Sequence, residues 1–110
     1  RKGQNAKIAT ISSEAGSFRS NAKAKSFRGY SYPASKAALN MMLMILTAEL
    51  RAENIPVVTL HPGFVRTRPE NSHAPLDPKE SAKGMLEIIE NLTLENSGNF
   101  YRYDGSAIEW

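Results

Sequence analysis

Tyr32 and Lys36 stand four residues apart at the start of a stretch of strong helix formers, so a helix that begins there places the phenol and the ammonium on one face. A phenol with an ordinary pKa near about 10 is a poor acid-base group at neutral pH, and a nearby ammonium favours its charged form. Ser12 and Ser13 close a short β-branched run. A serine hydroxyl at a strand tip can donate to a carbonyl oxygen as negative charge builds there. The chemistry open to this set is proton transfer to or from an oxygen whose charge is changing. Tyr and Lys at this spacing share a helix face whether or not they have a purpose, so the elements that carry them must be read next.

Lys7 to Ser12 predicts a buried strand, β-branched at alternate places and closed by serines. Ser13 to Gly29 mixes Ser, Gly, Asn, Lys and Arg with only Phe18 and Phe27 as large apolar residues, which predicts a long loop. A helix is predicted over Ser35 to Glu53, free of Gly and Pro. Its apolar residues, Ala37 to Leu39 and Met41 to Leu46, surround almost the whole circumference. Two buried faces are therefore expected, one on a sheet and one on a neighbouring helix of this chain or another. The methionines fit packing far better than a cofactor site.

Ile55 to Leu60 predicts a second strand, and His61-Pro62-Gly63 a turn after it. Asp77-Pro78-Lys79-Glu80 carries an N-cap, a proline at the first helical position and an acid in the first turn. Ala82, Met85, Leu86, Ile89 and Leu92 then recur at three- and four-residue spacing, giving an amphipathic helix with one buried stripe. Asn99 to Tyr103 suits a third strand, with Asp104-Gly105 as a tight turn. Strand, helix, strand, helix, strand predicts an α/β fold, a parallel layer with right-handed crossovers that is half of a doubly wound sheet. The first strand should lack a partner on one edge. Ligands bind at the carboxyl ends of strands in such sheets, where Ser12 and Ser13 lie.

The net charge of +3 is uneven: residues 1–30 hold seven Lys and Arg against Glu14 alone, and residues 31–110 hold seven against ten acids. The basic part lacks the spaced aromatic residues of a stacking platform, which argues against a nucleic-acid partner. No run of about 18 apolar residues is present, so no membrane association is expected. With no cysteine, disulfides and thiolate metal sites are excluded, and a cytoplasmic location is the expectation. His61 and His73 read as structural or surface residues, since no further ligands stand at metal spacing.

Three segments follow one another: Ser12-Ser13-Glu14-Ala15-Gly16, then Tyr32-Pro33-Ala34-Ser35-Lys36-Ala37-Ala38, then His61-Pro62-Gly63-Phe64-Val65-Arg66-Thr67. In that order they resemble the active-site signature of the short-chain dehydrogenases/reductases. The resemblance covers essentially the whole chain, from the fifth strand of that fold to its C-terminus. The ending Asp104-Gly105 to Trp110 and the long serine-to-tyrosine loop are similar to the carbonyl-reductase and C-signal-like members. It implies a partial Rossmann-like sheet in which residues 1–110 are the C-terminal catalytic half and the N-terminal dinucleotide-binding half is absent.

The function implied is an oxidoreductase that moves a hydride between NAD(P)(H) and a carbonyl or alcohol substrate. On this resemblance Tyr32 is the proton donor or acceptor, Lys36 lowers its pKa and hydrogen-bonds the nicotinamide ribose, and Ser13 holds the substrate oxygen. Tyr32, Lys36, Pro62, Gly63, Val65 and Thr67 would contact the cofactor, NAD or NADP with NADP slightly favoured. Several parts of the family's pattern are missing: a Gly-x-Gly turn, an adenine-side acid or arginine, and an upstream Asn. Arg68-Pro69-Glu70-Asn71 are unusual for a cofactor-facing loop. The opening on Arg1, directly before a strand, reads as a fragment. A reading from another class is a truncated, non-catalytic remnant whose two-faced helix is an interaction surface. A homo-oligomer through the Met-rich helix 35–53 is also expected.

Overall fold

The run Ile55 to Leu60 has no polar alternation because every residue in it is buried. In the computed structural model, which describes residues 5–25, 29–65 and 73–110, this run supplies β2 (Val57–His61), the middle strand of a three-stranded sheet. β1 (Ile8–Ile11) pairs parallel to it, with Ile8 opposite Val57. β3 (Phe100–Arg102) pairs parallel on the other side, with Thr59 opposite Phe100. A parallel strand covered on both faces needs apolar residues throughout, which β2 has.

Side chains alternate along β2, so Val58 and Leu60 share one face and Val57 and Thr59 the other. The first face packs with Leu92, Met85, Ile88 and Ile89, which belong to or follow α3 (Pro78–Glu90). The second faces α2 (Ser31–Arg51), whose buried residues are Asn40, Leu43 and Thr47. Helices thus cover both faces of a parallel sheet, the α/β architecture expected. No helix among the described residues is long and apolar enough to cross a membrane.

Several elements differ from the sequence expectation. α2 begins at Ser31, four residues early, because Pro33 falls in its first turn, where a missing N–H costs nothing. The segment read as loop contains a 3₁₀ turn (Glu14–Gly16) and α1 (Phe18–Ala22), capped by Ser17, whose Oγ accepts from Ser20 N at 3.0 Å. β1 is less buried than expected, with Ile11 50% exposed, since it lies at the sheet edge. Of the two faces of α2, one is buried. Met41, Met42, Met44 and Ile45 on the other are exposed.

The start of α3 matches its signal: Asp77 Oδ1 accepts from Lys79 N at 3.0 Å. After β3, Asp104 and Gly105 turn the chain back so that Ser106–Ile108 lies antiparallel along its outer edge. Arg102 N donates to Ser106 O and Ile108 N to Phe100 O, each at 2.8 Å. The tail then docks on α1, with Phe18 N donating to Trp110 O at 2.6 Å and the Trp110 ring 5.0 Å from that of Phe100.

Gly84, inside α3, touches the end of β3: a Cβ there would lie 2.2 Å from the Tyr103 carbonyl oxygen. Gly to Ala inside a helix ordinarily stabilises by about 1 kcal/mol. Gly84→Ala is expected to do the reverse and destabilise by about 2 kcal/mol, because the obstacle is backbone and cannot swing aside. Urea unfolding measures the sign. A raised midpoint would show that α3 and β3 are not packed this closely.

Candidate active site

The chain leaves β1 at Ser12, which is fixed twice. Its N–H donates to Leu60 O at 2.7 Å, and its Oγ donates to Asn40 Oδ1 on α2 at 2.6 Å. Ser13 follows as the N-cap of the 3₁₀ turn, its Oγ accepting from Ala15 N at 3.1 Å. Gly16 ends the turn against α2. A Cβ at this position would lie 2.6 Å from the Lys36 carbonyl carbon and 2.7 Å from Asn40 Nδ2. Only glycine permits that approach, which seats the 3₁₀ turn that Ser13 caps against the Lys36 turn of the helix.

Tyr32 and Lys36 share one face in the first turns of α2, with the Lys36 Nζ 5.6 Å from the Tyr32 ring centroid. Ser13 is 8% exposed and Tyr32 54% exposed, so the hydroxyl is set into the fold while the phenol stands at its surface. The turn and the helix face are brought together at the carboxyl end of the sheet. Among the described residues no hydrogen bond joins the side chains of Ser13, Tyr32 and Lys36 to one another.

Pro62 and Gly63 leave β2 at the same end. Gly63 has φ +85, a left-handed conformation, and a Cβ on it would strike Leu76 Cδ2 at 2.6 Å. Its missing side chain therefore makes room for Leu76 and the Tyr103 ring. Pro62 O accepts from Ser81 Oγ at 2.6 Å, and Val65 bridges to Leu76, which sets the loop against the start of α3. A groove of about 430 Å³ runs between them, lined by Phe64, Val65, Ala82 and Met85 among others. Thr67 and Arg68 to Asn71 lie outside the described residues. Among the described residues no group of three or more His, Asp or Glu side chains could hold a metal ion.

Two features were missed from sequence, Asn40 and the ion pair of Glu14. Asn40 is 3% exposed and sits one turn beyond Lys36; counting apolar residues passed over it, although a polar residue in step with Tyr32 and Lys36 was the available signal. Glu14 receives Arg102 Nε at 3.1 Å and Nη2 at 2.7 Å, and Ser20 Oγ at 3.0 Å. Its status as the one acid among thirty residues marked it, but nothing local named its partner. His61, read as structural, accepts from Glu14 N at 3.2 Å through Nδ1. Arg102 hydrogen bonding, chiefly, holds the Glu14 carboxyl below its usual range, against the opposing effect of burial.

A lowered carboxyl pKa contributes stability that is present above the unfolded-state value and lost as pH falls through the folded-state value. Glu14→Gln is therefore expected to destabilise on the order of 1 kcal/mol at neutral pH. The gap from wild type should close as the solution is acidified below the ordinary carboxylate range. Denaturant unfolding of both proteins across pH 2 to 7 measures it; a gap independent of pH would remove the ion pair from the account.

Residues 1–75 match the family model for short chain dehydrogenases. Over its whole length the chain is 37% identical to C-signal of Myxococcus xanthus, covering 64% of that protein. It is 34% identical to 1-hydroxy-2-glutathionyl-2-methyl-3-butene dehydrogenase of Rhodococcus sp. (strain AD45), over 97% of this chain and 48% of the relative. A carbonyl reductase from Pseudomonas aeruginosa superposes with a TM-score of 0.83 at 31% identity, over 100% of this chain and 46% of that one. The NADPH-bound carbonyl reductase from chicken fatty liver does so at 0.79 and 33%, over 94% of this chain and 42% of that one. The chain spans about half the length of the relatives it matches. By its matched residues and its structural likeness, this chain belongs to the short-chain dehydrogenase family.

Proposed function

We propose that residues 1–110 are the C-terminal, catalytic half of an oxidoreductase that interconverts a small-molecule carbonyl and the corresponding alcohol. The observation that carries this reading is the Lys36 ammonium over the Tyr32 ring, on the helix turn against which Gly16 seats the Ser13-bearing turn. Tyr32 gives its hydroxyl proton to the carbonyl oxygen in reduction and takes it back in oxidation. Lys36 offsets the negative charge left on the phenol oxygen, and Ser13 donates to the substrate oxygen, orienting the carbonyl carbon.

NAD(P)(H), when bound, supplies or accepts the hydride. The residues present fit its nicotinamide end: Lys36 Nζ has no carboxylate partner among the described residues, and Pro62, Gly63 and Val65 line the same end of the sheet. Thr67 completes that set in the family pattern. Relatives solved with NADPH or NADP favour NADP over NAD. Tyr32→Phe, in protein expressed from the full coding frame, is expected to lower kcat for NADPH-dependent reduction of simple aldehydes and ketones by about 100-fold or more, with the fold retained. Full turnover in that variant would overturn the assignment.

The exposed Met41, Met42, Met44 and Ile45 face of α2 is, in this reading, a self-association surface. Light scattering is expected to give a multimer for the full-length protein and roughly half its mass or less for Met42→Glu. An unchanged mass would take the surface out of the assembly.

A further inference from the structure

One polar side chain stands at the centre of the joint between β1 and α2. Asn40 follows Lys36 by one helical turn and Tyr32 by two, so it lies on the same stripe of α2, deeper in the fold. It is 3% exposed. Its Oδ1 accepts from Ser12 Oγ at 2.6 Å, while Nδ2 is sealed from solvent without an acceptor among the described residues. That nitrogen sits in the space left by the missing side chain of Gly16, 2.7 Å from where a Cβ would be.

Burying an amide with its NH2 group unpaired is unfavourable, and a leucine would fill a similar volume without that cost. What a leucine cannot supply is the acceptor for Ser12. The bond matters because Ser12 immediately precedes Ser13, and the backbone of Ser12 is already pinned to Leu60. With the side chain pinned as well, the direction in which the chain enters the turn is set by α2, the element that carries Tyr32 and Lys36.

We propose that Asn40 is a positioning residue for the catalytic set, acting through Ser12 to hold Ser13 in register with Tyr32 and Lys36. The inference rests on the carbonyl–alcohol reading given above. Without the clamp the turn is still held by Glu14 on Arg102 and by Gly16 on the helix, so the fold persists while Ser13 relaxes. A displacement of about 1 Å at a reacting centre can cost about 100-fold in rate. Asn40 and Ser12 do not belong to the set that meets the cofactor, so its affinity is not affected.

The test compares Ser12→Ala, Asn40→Leu, the double variant and Tyr32→Phe, in protein expressed from the full coding frame. Each single change at the clamp is expected to lower kcat about 10- to 100-fold with KM for NADPH changed less than about 2-fold. The double variant should be no slower than the slower single, because both changes break one bond. Ser12→Thr keeps the hydroxyl and should recover most of the kcat lost in Ser12→Ala. Losses that multiply in the double variant, or no recovery with threonine, overturn the proposal. If Asn40→Leu does not fold, Ser12→Ala against Ser12→Thr decides alone, since only one oxygen is removed. Tyr32→Phe separates the two levels: full turnover there sinks the reading of the set, whereas its loss alongside normal kcat in Ser12→Ala sinks only the role of Asn40.

Discussion

The close approach of the 3₁₀ turn to α2 is the constraint on which the rest of the site depends. At Gly16 the neighbouring atoms are the Lys36 peptide, so a methyl group could be relieved only by moving the whole turn or the whole helix. A 3₁₀ turn rises about 2 Å per residue, enough for three residues to bring the chain from the tip of β1 to the helix surface. The order of serine, two residues and glycine thus has a geometric meaning. It seats the turn that Ser13 caps against one turn of α2, and the Ser12–Asn40 hydrogen bond ties the chain entering that turn to the same helix.

The end of β3 does comparable work for the other loops. Arg102 holds Glu14 from the first loop, Tyr103 N donates to His61 O at 2.9 Å, and the Tyr103 ring and carbonyl meet Gly63 and Gly84. A partly exposed ion pair is worth little by itself, about 0 to 1 kcal/mol. Its weight here is directional, because a two-pronged guanidinium–carboxylate contact fixes orientation as well as distance. The segments that follow all three strands are therefore referred to one another and not only to the sheet.

How much of this could be read from sequence follows from the range of each interaction. β2 was legible because burial on both faces leaves a continuous apolar run, and α3 because Asp77-Pro78 is a local capping signal. α1 was not, since five residues held by Ser17 show no periodicity. The Tyr32 and Lys36 pair was visible because its spacing is one helical turn. The partner of Glu14 was not, because Arg102 lies 88 positions away and no local pattern encodes that distance. Asn40 fell between these cases. Its position was predictable from the helix period, but its importance came from Ser12, an element away.

The two edges of the sheet are unlike, and the difference bears on where the site is completed. The outer edge of β3 is closed by the returning tail through Arg102 and Ile108. β1 has no such cover: Ile8 N and Ser12 N turn toward β2, so the groups of Ala9 and Ile11 between them point outward, and no strand pairs there among the described residues. The Met41, Met42, Met44 and Ile45 face of α2 is likewise uncovered among the described residues, an apolar patch of the kind that marks an interaction surface. β1 and α2 are the two elements that bring Ser13, Tyr32 and Lys36 to the sheet's carboxyl end. Among the described residues the sheet is thus closed at β3 and open at β1, the strand that leads into Ser13.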